Sequence, residues 1–142
     1  MPDDSGLQFV DTNVLVYAHD VSAGEKYERA LKLIEALWEN ENGCLSVQVA
    51  QEFYTTITAK VKKPLGSEDA AEILGALSAW KTHAPEMRDV LRAIEIQRRY
   101  QISFWDAMII ASAAKLNCDI LWSEDLNDEQ VYDGVKVKNP FS

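Results

Sequence analysis

Leu7-Gln8-Phe9-Val10 is a short β-prone run, and the apolar stretch Val14-Leu15-Val16-Tyr17 after Asp11-Thr12-Asn13 predicts a turn into a buried first helix. Asp11 then stands at a strand's exit. Further on, Tyr27, Ala30, Leu31, Ile34, Leu37 and Trp38 follow the 3.6-residue period of one helix face, with Ser22-Ala23-Gly24-Glu25 read as a capping box at its start. Asn42-Gly43 ends that helix, Cys44-Leu45 reads as a brief strand, and Ser46 is placed to cap a helix that buries Ala50, Phe53, Tyr54, Ile57 and Val61. Glu52 lies beside that stripe.

Pro64-Leu65-Gly66 breaks the chain, Ser67-Glu68-Asp69 begins another helix, and Pro85 is read just inside the start of the next, so the middle is expected to be a run of helices. Met87, Val90, Leu91 and Ile94 are the expected apolar stripe of the latter helix. Ser103 then opens a helix of small residues, Ala107 to Ala114, suited to tight packing, with Asp106 in its first turn. Asp119-Ile120-Leu121-Trp122 reads as a buried strand and Val135-Lys136-Val137 as an alternating edge strand. Strand and helix alternate at both ends, which implies an α/β fold.

Neither a repeat nor a long linker divides the 142 residues, and 47% hydrophobic content suffices for one core. A single domain over residues 7–142 is expected, with residues 1–6 as a flexible N-terminus. The longest apolar runs fall well short of a bilayer span and Met1-Pro2-Asp3-Asp4 lacks the features of a signal peptide, so a cytoplasmic protein without membrane attachment is expected. Cys44 and Cys118 form no CxxC pair, and only His19 and His83 could join them; both thiols read as buried fillers.

Charge changes the picture. A net charge of −9 opposes a broadly basic nucleic-acid surface, unless some acids are clustered around cations that reverse the local sign. Four segments carry a carboxylate to positions where an α/β sheet exposes its functional edge: Asp11 after the first strand, Glu52 and Asp106 early in helices, and Asp125 after Ile120-Leu121-Trp122. Acids gathered in this way repel one another and are costly to desolvate, so a site made of them suits hard cations such as Mg²⁺ or Mn²⁺.

In order and spacing, Asp11-Thr12-Asn13-Val14-Leu15, Glu52 with Phe53-Tyr54, Ser103-Phe104-Trp105-Asp106-Ala107 and Ser123-Glu124-Asp125-Leu126 resemble the motifs of PIN domains, with a pattern most like VapC-type toxins. The resemblance spans nearly the whole chain. It implies a three-layer fold in which helices flank a central, mainly parallel sheet. It also implies a metal pocket of Asp11, Glu52, Asp106 and Asp125 supported by Asn13 and Ser123. The implied activity is metal-dependent ribonuclease hydrolysis leaving a 5′-phosphate and a 3′-hydroxyl. The implied partners are an RNA substrate, a cognate antitoxin that occludes the pocket with a basic segment, and a second copy in a homodimer.

Each motif also has an ordinary reading. Asp106 suits a capping box with Ser103, Asp11-Thr12-Asn13 suits a polar turn, Thr12 suits a helix cap, and Asp125 suits an acidic loop. It is their joint placement that favours a site. Glu124 and Asp128 stand as substitute ligands, whereas His19 reads as a satisfied surface imidazole. Lys60, Lys62, Lys63, Arg98 and Arg99 complement helix C-termini and are also candidates to hold RNA phosphates. Trp38, Trp105 and Trp122 are expected in the core. Two rival functions remain: an inactive PIN fold that binds RNA or protein, and phosphotransfer through Asp11 as nucleophile. The second is opposed by Asn13, where haloacid-dehalogenase-like enzymes carry a second Asp.

Overall fold

The computed structural model describes residues 6–142. Strand β1 (Gln8–Val10) passes through Asp11 into α1 (Thr12–Tyr17). A 3-10 turn (Val21–Ala23) precedes α2 (Glu25–Asn40), β2 (Gly43–Ser46), α3 (Val47–Ile57), α4 (Ser67–Leu77) and β3 (Lys81–His83). The chain continues as α5 (Met87–Tyr100), α6 (Phe104–Lys115), β4 (Ile120–Trp122), β5 (Val131–Tyr132) and β6 (Val135–Lys138). The segment expected to be flexible, residues 1–6, lies outside the described residues apart from Gly6, whose carbonyl accepts a hydrogen bond from Asn42 Nδ2 at 2.9 Å.

The six strands form one sheet in the order β3-β2-β1-β4-β6-β5, parallel throughout except between β5 and β6, and helices flank it as expected. The chain lays β1, β2 and β3 outward in one direction, returns through α5 and α6, and sets β4 on the opposite side of β1. A reversal of this kind opens a crevice at the C-terminal ends of the two strands beside it. Val10 pairs with Trp122 at the last position of the β1/β4 register. Asp11 and Ser123, the next residue of each strand, therefore leave the sheet side by side.

Helix α6 is buried without a break from Ala107 to Ala113. Its small side chains let it lie under α5 and against the sheet, as their pattern predicts. Helix α5 itself is rotated from expectation. Val90 is half-buried, but Met87, Leu91 and Ile94 are exposed, and the buried positions are Asp89, Ala93 and Ile96. Polar pairing decides the rotation: His83 Nε2 lies 3.3 Å from Asp89 Oδ2, and the same carboxylate oxygen accepts from Glu86 N at 2.8 Å. Glu86 caps the helix, so Pro85 stands before it rather than in its first turn.

Strand β3 interrupts the expected run of helices; Lys81 and Thr82 are exposed there, so no apolar alternation advertises it. Strand β6 lies between β4 and β5 instead of at the edge. Its partner β5 joins it through Asp133 (φ 50°) and Gly134 (φ 86°), and an Asp-Gly pair with two positive φ angles is the usual two-residue hairpin. The box at Ser22–Glu25 does not form, because Asp20 caps the 3-10 turn by accepting from Ser22 N at 3.1 Å, and α2 begins after Gly24 without a side-chain cap. Helix α3 stops at Ile57, with Tyr54 at the surface and its hydroxyl bonded to Ser67 Oγ at 2.9 Å.

The tryptophans divide as well. Trp80 is buried and Trp122 half-buried, its indole N–H donating to Gln8 Oε1 at 2.8 Å. Trp38 is exposed on one side while tilted against Trp80, and Trp105 is at the surface, contrary to a core placement. Cys44 and Cys118 are buried free thiols. Hydrogen bonding between the two lowers the Cys44 pKa and, with burial, raises that of Cys118. Among the described residues, no helix is long and apolar enough to cross a membrane.

Candidate functional site

Asp11 begins the site at the turn from β1 into α1. It is the N-cap of α1, in extended conformation, and its Oδ1 accepts from Thr12 N at 2.7 Å. Its Oδ2 accepts from Ser123 Oγ at 2.9 Å, and that hydroxyl in turn accepts from Asp125 N at 3.2 Å. Ser123 thus couples the ends of β1 and β4. Because Asp11 supplies the helix cap, the Thr12 hydroxyl is spared for another partner and donates to Glu52 Oε1 at 2.6 Å. Asn13, one residue further around α1, donates through Nδ2 to Asp125 Oδ2 at 3.0 Å.

These contacts place all four sequence-predicted acids around one cavity of about 300 Å³, lined by Asp11, Glu52, Asp106 and Asp125 together with Lys60 and Trp105. A larger, nearly apolar groove between α3 and α4 holds none of them. Asp106 enters from the first turn of α6, where Ser103 Oγ accepts from Asp106 N at 3.1 Å and caps the helix. On α3, Gln48 Nε2 approaches both Glu52 Oε2 and the Trp105 carbonyl at 3.4 Å, bridging that helix to α6.

Electrostatics mark Asp11 apart. Burial raises its pKa from 3.8 to about 7, against the opposing hydrogen bonds from Ser123 and Thr12, and the charges of Asp106 and Asp125 add to the rise. Asp125 is also raised, first by desolvation and then by Glu124 and Asp106, with the Asn13 hydrogen bond opposing. Its carboxylate is exposed, so that effect is screened by solvent. As the side chains stand, no three His, Cys, Asp or Glu among the described residues are arranged to hold an ion. Asp11, Glu52 and Asp125 are each engaged with a neighbouring donor instead.

The other expected residues are sorted by the fold. Lys60 lines the acidic cavity, and with Asn13 and Thr56 it also lines an adjoining one of about 380 Å³ that includes Lys62. Lys63, Arg98 and Arg99 line neither cavity; the Arg99 guanidinium instead lies over the Tyr100 ring. Glu124 is turned away from a ligand role. It accepts from Tyr17 at 2.8 Å and from Lys26 at 2.7 Å, and the Tyr17 pKa is raised by burial and by that carboxylate. Asp128 accepts from Asn139 N at 2.8 Å. His19 is half-buried, its Nδ1 3.0 Å from the Leu15 carbonyl, and burial lowers its pKa.

Thr12, Gln48 and Trp105 join the cavity wall without having been assigned to the site from sequence: Thr12 is read there as a helix cap and Trp105 as a core residue. Thr12 follows a motif acid, which is a usable signal; Gln48 carries none, because its role depends on how two helices meet.

A second constellation invites a catalytic reading and does not support it. His83 Nδ1 lies 2.8 Å from Ser112 Oγ and its Nε2 lies 3.3 Å from Asp89. All three are buried, Ser112 completely, and a nucleophile needs access to substrate. These residues fasten β3, α5 and α6 together. His83→Ala is expected to lower the unfolding free energy by about 1–3 kcal/mol, read as a lower urea midpoint at unchanged m-value, because it leaves Asp89 and Ser112 without their partner.

A family profile described as PIN domain matches residues 9–133. No curated protein sequence matches significantly. Among solved structures, a toxin–antitoxin complex from Klebsiella pneumoniae is similar at 20% identity and TM-score 0.68, over 94% of this chain and 97% of that one. VapBC2 from Rickettsia felis, bound to a DNA fragment from its promoter, is similar at 19% identity and TM-score 0.65, over 94% and 98%. VapC20 from Mycobacterium tuberculosis, described as a Sarcin-Ricin loop cleaving toxin, is similar at 18% identity and TM-score 0.63, over 83% and 89%. At these identities the likeness to solved structures is one of fold.

Proposed function

The chain belongs to the PIN domain family, and from that premise we propose that it is a divalent-metal-dependent ribonuclease, the toxin of a cytoplasmic toxin–antitoxin pair. The observation that carries the reading is the gathering of Asp11, Glu52, Asp106 and Asp125, from four separate segments, around one cavity at the switch point of the sheet. The donor set suits a hard cation. It consists of carboxylate oxygens, and one of them, Asp11, is buried beside the like charges of Asp106 and Asp125, with a single lysine, Lys60, on the cavity wall.

The residues to hold Mg²⁺ or Mn²⁺ are those four acids, with Ser123 and Asn13 orienting Asp11 and Asp125. When bound, the cation supplies charge neutralisation and Lewis-acid polarisation of water and phosphodiester. Thr12 holds Glu52 in place. Lys60 offers a positive charge to the phosphate that must approach an acidic wall. In the overall hydrolysis, the oxygen of water joins phosphorus as the P–O3′ bond breaks. One water proton ends on the 3′ oxygen, leaving a 3′-hydroxyl and a 5′-phosphate.

The antitoxin partner is supported by the fold's likeness to solved toxin–antitoxin complexes. A basic segment would suit the acidic cavity, and a homodimer is part of the same proposal.

One observation favours the alternative of an inactive module that binds RNA or protein: among the described residues the acids are not preassembled for an ion. Incubating the purified chain with pooled RNA in Mg²⁺, Mn²⁺ and EDTA separates the two. Cleavage in either metal and none in EDTA is expected. Intact RNA with a correctly folded chain would refute the nuclease and favour the binding module.

A further inference from the structure

Beside the acids stands Trp105. This residue is 62% exposed and lines the cavity of carboxylates, the one tryptophan of the four that does so. Singly exposed apolar side chains are ordinary at a protein surface, and Met87 and Val21 are more exposed still; what sets Trp105 apart is its place on the wall of the acidic cavity. Its ring meets Phe104 edge-on, with centroids 5.0 Å apart at 73°. Its backbone is fixed in the first turn of α6, and its carbonyl faces Gln48 of α3. Asp106 is the next residue of the same helix, and both residues line the cavity although their side chains leave the helix roughly 100° apart.

We propose that Trp105 is a stacking platform for one unpaired base of the RNA strand, next to the phosphate that enters the acidic cavity. Stacking suits this wall. Every base has a flat apolar face and stacking does not depend on phosphate attraction, so it supplies affinity where a net charge of −9 withholds it. Lys60 lines the same cavity, and Lys62 the one beyond it, so the strand that leaves its base on Trp105 has phosphate partners as it runs on. A stacked base held next to the acids selects single-stranded RNA over duplex, since a paired base hides its faces in the helix.

The inference rests on the nuclease reading only in taking RNA as the ligand, and its test does not require cleavage. A fluorescein-labelled single-stranded RNA oligonucleotide is titrated, in Mg²⁺, with chains that carry Asp11→Asn to prevent turnover. Added Trp105→Ala is expected to weaken binding roughly tenfold, the scale of one stacked base, at every salt concentration and with unchanged salt slope. Added Trp105→Phe is expected to bind within a few-fold of the tryptophan chain, and quenching of indole emission by RNA is expected to vanish in both. An abasic nucleotide walked along the RNA is expected to reproduce the loss at one position, with no further loss in Trp105→Ala. Unchanged affinity in Trp105→Ala would overturn the proposal and leave the indole as a contact for a protein partner. A Phe variant as weak as the Ala variant would also overturn it. Binding through Trp105, together with no cleavage in Mg²⁺ or Mn²⁺ by the folded chain that retains Asp11, would sink the nuclease reading alone.

Discussion

Asp11→Asn is expected to remove metal-dependent RNA cleavage, by on the order of a thousandfold or more in rate, while the protein stays folded. The near-isosteric amide can still accept from Thr12 N and can donate to Ser123 Oγ, whose present bonds to Asp11 are 2.7 and 2.9 Å long. What it loses is the anionic oxygen. Of the four acids, Asp11 alone is buried, so solvent cannot stand in for its missing charge as readily as at the exposed Asp125. Single-turnover cleavage of a defined RNA, with circular dichroism on both chains, is the measurement. Wild-type rates in a folded Asp11→Asn protein would remove this residue from the active centre.

Without metal, stability is expected to fall as pH rises from about 4 to about 7. Asp11 carries a folded pKa of about 7 against 3.8 in the unfolded chain, so the folded state holds its proton more tightly across that interval. The unfolded state binds fewer protons there, which makes the slope of unfolding free energy with pH negative. The loss begins near the unfolded value and is complete above the folded one. A rise from 3.8 to about 7 corresponds to roughly 4 kcal/mol at most, from a group whose burial leaves little solvent screening. Melting temperatures of wild type and Asp11→Asn in EDTA isolate this group, because every other carboxylate is common to both. The difference should widen in favour of Asp11→Asn between pH 4 and pH 7 and then level off. Added Mg²⁺ should stabilise wild type more at pH 8 than at pH 6, since a ligand must give up its proton to bind. A pH-independent difference would mean that Asp11 titrates as an ordinary exposed carboxylate.

Much of the candidate site is legible in the sequence because its residues sit where local rules place them. A short apolar run followed by Asp-Thr-Asn predicts a strand exit, and Asp11 is at one. Ser103 caps the helix whose first turn carries Asp106, as the spacing predicts. The failures share a cause. The Met87-Leu91-Ile94 stripe has flawless helical spacing and faces water, because a buried His83–Asp89 contact and the small Ala93 decide which side of α5 meets α6. Trp105 resembles a core residue in sequence and is outside the core because it lies in the first turn of α6, ahead of the stretch Ala107 to Ala113 that is buried at every position. Strand β3 exists through backbone pairing with β2, a form of stabilisation that needs no apolar pattern.

The sequence by itself determined the class of fold and the order of most elements, since hydrophobic period and capping chemistry are local properties that neighbouring residues carry; the four acids stood out through their joint placement and the resemblance to PIN domains. Only the tertiary structure decided which face of α5 is buried, that β4 returns beside β1, and that Thr12 reaches Glu52 across 40 positions of chain. Those outcomes depend on pairings between distant segments, where the geometry of one contact settles the orientation of every residue around it.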